Sequence, residues 1–291
     1  MMAFHGDAKV KTDLLKRIAG VVPLPRMTPT ADRSLIAMAA DLELPAAVVL
    51  LAAHLAKEEG EVPSAAFASE VVSAIHPGAD LRPIGHLWTA WVWEGADESL
   101  HAMVDPPPLR QVCAAVIDMH RREAGGQAIG RGEWRAARAT LGSAAEGNDV
   151  ASAAAAAIGA AAWDYHATPG AVIDVLNGWR KAWAERVRSI MGWRKEDSLR
   201  LQGLILEQQQ AAEARIEADP MGETAGADGY RRRRAEEILS LVREVDESLV
   251  RRNAEVHARI SECFSGLRRQ GRRELLALLG RTAAHPAGSA G

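Results

Sequence analysis

Apolar positions in the C-terminal two-fifths of the chain recur every three to four residues over two long stretches. The first stretch runs from about Ala171 to Ala218, and the second runs from about Tyr230 to Gly280. This spacing places the apolar side chains on one face of a helix. Residues 219–229 separate the stretches and are too rich in Gly, Pro and Asp to continue a helix. We therefore predict an antiparallel helical hairpin with coiled-coil-like arms of roughly 70–75 Å each.

The second arm carries an apolar stripe that we expect to contact a protein partner. Its members are Ile238, Val242, Val245, Leu249, Val256 and Ile260. A stripe of this kind packs against another helix, which can come from a second copy of the chain or from another protein. Arg252 interrupts the stripe at a core position, which argues against a simple dimer seam. Glycines within the arms, at about 1 kcal/mol each relative to Ala, predict kinks or fraying at Gly178, Gly192, Gly203, Gly266 and Gly271.

The N-terminal part is divided by Pro and Gly into shorter helices, such as the one predicted from Pro83 to about Glu94. No run alternates apolar and polar residues as a strand would. We predict an all-α fold in three parts. Residues 1–168 form a compact, alanine-rich bundle of helices, residues 169–280 form the hairpin with its hinge at 219–229, and residues 281–291 form a disordered tail.

The composition indicates how such a core can be filled. Hydrophobic residues make up 48% of the chain, but much of this is alanine, which buries little area per residue. All eight tryptophans lie between Trp88 and Trp193. We expect most of these rings to fill gaps in the core. Trp93 and Trp193 are our candidates for exposed, partner-binding rings.

The net charge of −3 conceals an asymmetry along the chain. Residues 230–291 contain thirteen Arg, no Lys and eight acidic residues, so this end is basic and the remainder is acidic. Arg is suited to phosphate because its planar guanidinium binds two oxygens. The alternative site is therefore a nucleic-acid surface formed by Arg231, Arg232, Arg233, Arg234, Arg268, Arg269, Arg272 and Arg273. The interleaved Glu residues favour a different interpretation, in which these arginines pair within solvated helices.

Motifs that would specify a reaction are missing from the sequence. It contains no His pair at i, i+4 and no Cys-x-x-Cys, so we predict no metal, no cofactor and no catalytic residues. Cys113 and His120 share a helix face but are two turns apart, and we expect a buried thiol and a surface imidazole. An enzyme would need a polar pocket, for example around His86, His101 and Asp105, which the sequence cannot bring together.

The cysteine count and the apolar runs bear on the compartment. Two distant cysteines are not a disulfide framework, and no signal peptide precedes the first helix. The most apolar run, from Ala151 to Trp163, is too short to span a bilayer. We expect a soluble cytoplasmic protein without a membrane association.

The first 165 residues contain three short motifs: the Phe-His-Gly-Asp start at Phe4–Asp7, the Leu-Pro helix start at Leu42–Pro45, and the segment Ala74–Leu81 before a Trp-bearing helix. These motifs resemble those of a family of uncharacterised, alanine-rich helical bacterial proteins. Many members of that family carry a Cys-rich segment with a nearby His, but residues 23–31 here contain no Cys. The resemblance implies an all-helical fold and no known activity. It does not cover the long hairpin.

The leading hypothesis is a non-enzymatic interaction or structural protein that self-associates or docks through its hairpin. A homo-oligomer is the expected state, and a nucleic-acid-associated protein that uses the Arg clusters is the alternative. An enzyme with a pocket among the short helices is the third hypothesis.

Overall fold

A computed structural model describes residues 2–20, 29–57, 65–105, 107–144, 149–218 and 226–282. Within these ranges the chain is helical and contains no strand, which confirms the all-α class. Short 3-10 turns at Ala3–Gly6 and His101–Met103 accompany the helices α1 Ala8–Gly20, α2 Pro29–Asp41, α3 Ala46–Ala56, α4 Ala65–Ala74, α5 Pro83–Glu94, α6 Pro107–Ala124, α7 Arg131–Ala144, α8 Val150–Ala161, α9 Ala171–Ile190, α10 Lys195–Glu217, α11 Gly226–Val245 and α12 Glu247–Gly280.

Some sequence predictions fall outside these ranges. Most of the hinge predicted at 219–229, all but the first two residues of the tail predicted at 281–291, and most of the Cys-free segment 23–31 lie outside the described residues.

Each predicted arm of the hairpin is divided into two helices. Gly192, with φ of +65°, follows the last turn of α9, a conformation that favours glycine at a helix end. Asp197 then accepts a hydrogen bond from the Arg194 backbone N–H at 2.9 Å and caps the start of α10. The second arm divides at Asp246, whose carboxylate accepts from the Leu249 backbone N–H at 3.0 Å. The kink expected at Gly192 is therefore present as a full break.

The chain forms two compact units. The first unit comprises Met1–Trp183 together with Phe264–Gly291, and the second unit comprises Ala184–Cys263. The boundary expected at residue 168 lies inside the first unit, and the C-terminal half of α12 belongs to that unit as well. Helices α9 and α12 each contribute to both units.

Tryptophans and the end of α12 build the core of the first unit. The Trp88 indole N–H donates to the Gly271 carbonyl at 3.3 Å. The Trp179 and Trp183 indoles both donate to the Glu98 carbonyl, at 2.7 and 2.9 Å. These bonds satisfy polar atoms of large buried rings, as burial of Trp requires. The expectation that Trp rings fill an alanine-rich core is confirmed for this unit.

Two glycines in this unit allow close approach rather than kinks. A Cβ added at Gly178 on α9 would lie 2.5 Å from the Ala157 Cβ on α8. A Cβ added at Gly271 would lie 3.1 Å from the Leu55 side chain. Both glycines remain inside continuous helices.

In the second unit, α10 and α11 pack along each other in antiparallel directions. Arg234 and Glu213 are joined at 2.6 Å near one end of the pair, and Arg200 and Asp246 are joined at 2.6 Å near the other. Among the described residues, α10 and α11 are the pair that packs in antiparallel directions within the predicted hairpin.

Arg252 on α12 belongs to a polar contact of the second unit. Its guanidinium lies 3.3 Å from the Asp197 carboxylate and donates to the Gly192 carbonyl at 3.2 Å. The Trp193 ring lies 5.6 Å from the same guanidinium. Arg252 thus interrupts the apolar stripe because it binds the turn between α9 and α10.

Candidate functional site

Most side chains of the apolar stripe on the second predicted arm are buried. Its buried members are Ile238, Val242, Leu249, Val256 and Ile260, each less than 9% exposed. Val245 is 58% exposed. The periodicity correctly marks a buried face, but residues of the same chain already cover five of its six members. Only Val245 is accessible to a partner in this arrangement.

The arginines proposed for nucleic acid differ in their exposure and in their contacts. Arg234 is paired with Glu213, Arg268 is 8% exposed, and the Arg272 guanidinium donates to the Leu55 carbonyl at 2.7 Å. These three side chains therefore have structural contacts of their own. Exposed positions are Arg231, Arg232, Arg269 and Arg273, and Arg233 is half-buried. The eight arginines also divide between the two units, since residues 231–234 belong to the second unit and residues 268–273 to the first.

The groups suggested for an enzyme pocket do not converge. His86 is 3% exposed within the core, whereas Asp105 is fully exposed and paired loosely with Arg110 at 3.8 Å. His101 is exposed and its ring packs edge-on against Trp93 at 5.2 Å between centroids.

A second histidine, which sequence reasoning placed on the surface, joins His86 in the core. His120 is 0% exposed, because it lies on the buried face of α6 with Cys113 and Ile117. The two Nδ1 atoms of His86 and His120 are 2.9 Å apart. The surface position expected for His120 is therefore wrong, while the buried position expected for Cys113 is confirmed.

The hydrogen bonds assign a tautomer to each ring of the histidine pair. The His120 Nε2 lies 3.0 Å from the Ala161 carbonyl, which only accepts, so Nε2 carries the proton. A neutral His120 then has an unprotonated Nδ1. His86 must therefore donate from its own Nδ1 to that atom when both rings are neutral.

Tyr165 and Thr89 complete the cluster around the histidines. The Tyr165 ring stacks on His86 with centroids 4.8 Å apart, and the Tyr165 and Thr89 hydroxyls are 2.7 Å apart. Gly85 makes this possible, because a Cβ there would lie 3.1 Å from the Tyr165 ring. Tyr165 follows α8 in the sequence, whereas His86 and Thr89 lie on α5.

Burial sets the protonation of this cluster. Loss of hydration lowers the pKa of His86 to about 4, and it lowers the pKa of His120 well below the usual value. Burial also raises the pKa of the Cys113 thiol to about 12 and raises the pKa of Tyr165. Neutral rings, a thiol and a phenol are thus the stable forms near neutral pH. The hydrogen bonds of the cluster connect α5 to α6 and α6 to the end of α8.

The tryptophans expected to be exposed are also buried. Trp93 is 2% exposed and Trp193 is 7% exposed, the latter with its indole donating to the Ser198 hydroxyl at 2.8 Å. Trp163 is instead 39% exposed, and the Arg138 guanidinium lies 3.6 Å above its ring. Both expectations were wrong. The Trp93 ring packs against His101, and the Trp193 indole donates to Ser198 at the start of α10.

Within the described ranges, no three His, Cys, Asp or Glu side chains are grouped as metal ligands. None of the described helices has the length and hydropathy needed to cross a membrane.

Exposed apolar side chains are concentrated in the second unit. Six of the eleven large hydrophobic residues found exposed among the described residues lie within its 80 positions: Ile190, Leu199, Leu206, Tyr230, Leu239 and Val245. On α10, Leu199 is 56% exposed and Leu206 is 58% exposed. They are seven residues apart, which is two helical turns, so they share one side of α10. The buried residues Leu201, Ala212 and Ile216 lie on a different side of α10.

Comparison of the chain with protein-family models, with curated proteins and with solved structures finds no significant match.

Proposed function

We propose that this chain is a non-enzymatic interaction protein that self-associates through the second unit, and that the outer side of α10 is the contact surface. The observation that supports the proposal is the exposure of Leu199 and Leu206 two turns apart on one helix side. Aliphatic side chains that are more than half exposed and aligned on a helix are typical of contact surfaces.

The space between the two leucines suits a second helix. Gly203 lies between them on the same side, and a Cβ added there would meet no atom within 4 Å. Small residues let helix backbones approach closely. Two copies of α10 that cross in antiparallel directions would bring Leu199 of one copy against Leu206 of the other, at both ends of the contact, by two-fold symmetry.

The size of this surface predicts a weak dimer. Four leucines supply only a small apolar contact, and association costs translational and rotational freedom. The dimer should therefore be weak, and its population should depend strongly on protein concentration.

Size-exclusion chromatography with light scattering on nuclease-treated full-length protein, at low and at high salt, tests the proposal. The wild type should increase in mass with concentration at both salt levels, because an apolar contact is not screened. The double variant Leu199→Glu/Leu206→Glu should remain monomeric. Leu239→Glu is the matched control, since Leu239 is 40% exposed but lies on α11, and it should behave as the wild type. Equal association of the wild type and the double variant would refute this surface.

A further inference from the structure

Residues of the C-terminal half of α12 and of helix α4 line an open cavity of about 470 Å³ in the first unit. This volume falls within the range of small-molecule sites. Its wall contains three arginines, Arg269, Arg272 and Arg273, and one carboxylate, Glu70. Phe67 and Leu276 add apolar surface. The proposed self-association surface lies on α10 and does not include this cavity.

Two of the three arginines have no counterion among the described residues. Arg269 and Arg273 are exposed, are one turn apart on α12, and form no ion pair or hydrogen bond with any described residue. Other arginines of the chain form ion pairs: Arg215 and Arg281 each lie within 3.0 Å of a carboxylate. Like charges at i, i+4 repel each other, so an anion bound between the two guanidinium groups would reduce their electrostatic repulsion.

The third arginine gives the cavity a fixed wall. The Arg272 guanidinium donates to the Leu55 carbonyl at 2.7 Å and to the Ala56 carbonyl at 3.1 Å. It also lies 4.9 Å from the centroid of the Phe67 ring. These contacts hold the Arg272 side chain in place, so the positive charge there does not depend on a ligand for its position.

We propose that this cavity binds the phosphate group of a small organic phosphate monoester. A monoester phosphate carries a charge of about −1.5 to −2 near neutral pH, which matches the two unpaired guanidinium groups. Arg269 and Arg273 contact its oxygens, because guanidinium groups bind phosphate through paired N–H donors. Phe67 and Leu276 contact the organic group. The site is a ligand site and includes no chemical step.

Isothermal titration calorimetry on the full chain tests the site, with phenyl phosphate as the probe and inorganic phosphate and phenol as comparisons. Phenyl phosphate should bind more tightly than inorganic phosphate, and phenol should not bind. The double variant Arg269→Gln/Arg273→Gln should bind phenyl phosphate at least about tenfold more weakly, as expected for the loss of two charge-assisted contacts.

The matched control removes two other exposed arginines that form no ion pair or hydrogen bond with a described residue. Arg232→Gln/Arg243→Gln makes the same charge change in the second unit and should leave phenyl phosphate binding unchanged. Absence of phenyl phosphate binding to the wild type would overturn the proposal, as would equal weakening by both double variants. Binding of a single-stranded oligonucleotide that the Arg269→Gln/Arg273→Gln variant retains, without phenyl phosphate binding, would also overturn it in favour of an unlocalised nucleic-acid contact.

Discussion

Acidification should destabilise the first unit through the buried His86–His120 pair. The usual pKa of a histidine is 6.5, and burial lowers that of His86 to about 4. Between these values the unfolded chain binds a proton that the folded chain excludes, so stability falls as the pH falls. The contribution of His86 to the free energy of unfolding is fully present above about pH 7 and is lost progressively until the pH reaches about 4.

The size of this loss follows from the shift in the pKa of His86. From pH 7.5 to pH 5.0, the linkage relation gives a loss of about 2 kcal/mol, and the full shift corresponds to about 3 kcal/mol. His120 adds to the loss, because its pKa is lowered by burial as well. Stopping at pH 5.0 keeps most carboxylates ionised, so that their protonation contributes little.

His86→Asn isolates the effect of this titration. The Asn side-chain nitrogen can occupy the position of the imidazole Nδ1 and donate to His120, but it does not titrate. The smaller side chain should cost about 1 kcal/mol at neutral pH because it leaves a cavity. The variant should nevertheless lose about 2 kcal/mol less than the wild type between pH 7.5 and pH 5.0. His257→Asn is the control at an exposed histidine and should lose as much as the wild type.

Urea unfolding followed by tryptophan fluorescence is the suitable assay. Seven of the eight tryptophans lie in the first unit and only Trp193 lies in the second, so the signal reports mainly on the unit that contains the pair. The free energy of unfolding is obtained by linear extrapolation at each pH. If His86→Asn loses as much stability as the wild type on acidification, the assignment of the pH dependence to His86 is refuted.

Gly178→Ala should lower the melting temperature, because its Cβ would overlap Ala157, whereas Gly203→Ala should raise the free energy of unfolding by up to about 1 kcal/mol in open space. Differential scanning calorimetry distinguishes them, and stabilisation by both would contradict the packing of α8 on α9. Separately, Arg252→Ala should cost about 1 kcal/mol in urea unfolding followed by circular dichroism. Arg251→Ala, at an exposed position, should change little, and equal effects would contradict the contact with the turn before α10.

The limits of most helices could be predicted from local signals, because Pro and Gly act within one turn. The helix predicted from Pro83 to Glu94 has those bounds in the structure. The division at Asp246 was missed, although Asp followed by Glu is a helix-start signal that could have indicated it. The apolar repeat through Ile238 and Val242 predicted a buried face. It could not indicate which part of the chain covers that face, because periodicity carries no information about the partner.

The histidine pair could not be predicted, because 34 positions separate its members and their contact depends on how α5 packs on α6. One signal was available for His120. It follows Cys113 and Ile117 on the apolar face of α6, which marks a core position. The exposure of Leu199 and Leu206 on either side of Gly203 could not be predicted either, because a sequence does not distinguish exposed from buried leucines.

Sedimentation equilibrium over a concentration series reaching about 1 mM tests the central claim most directly, because mass action populates a weak dimer only at high protein concentration. The apparent mass of the wild type should rise above 31.2 kDa as the concentration increases. The Leu206→Glu variant should remain at the monomer mass throughout. A wild type that stays at the monomer mass at every concentration, or a Leu206→Glu variant that associates equally well, would contradict self-association through α10.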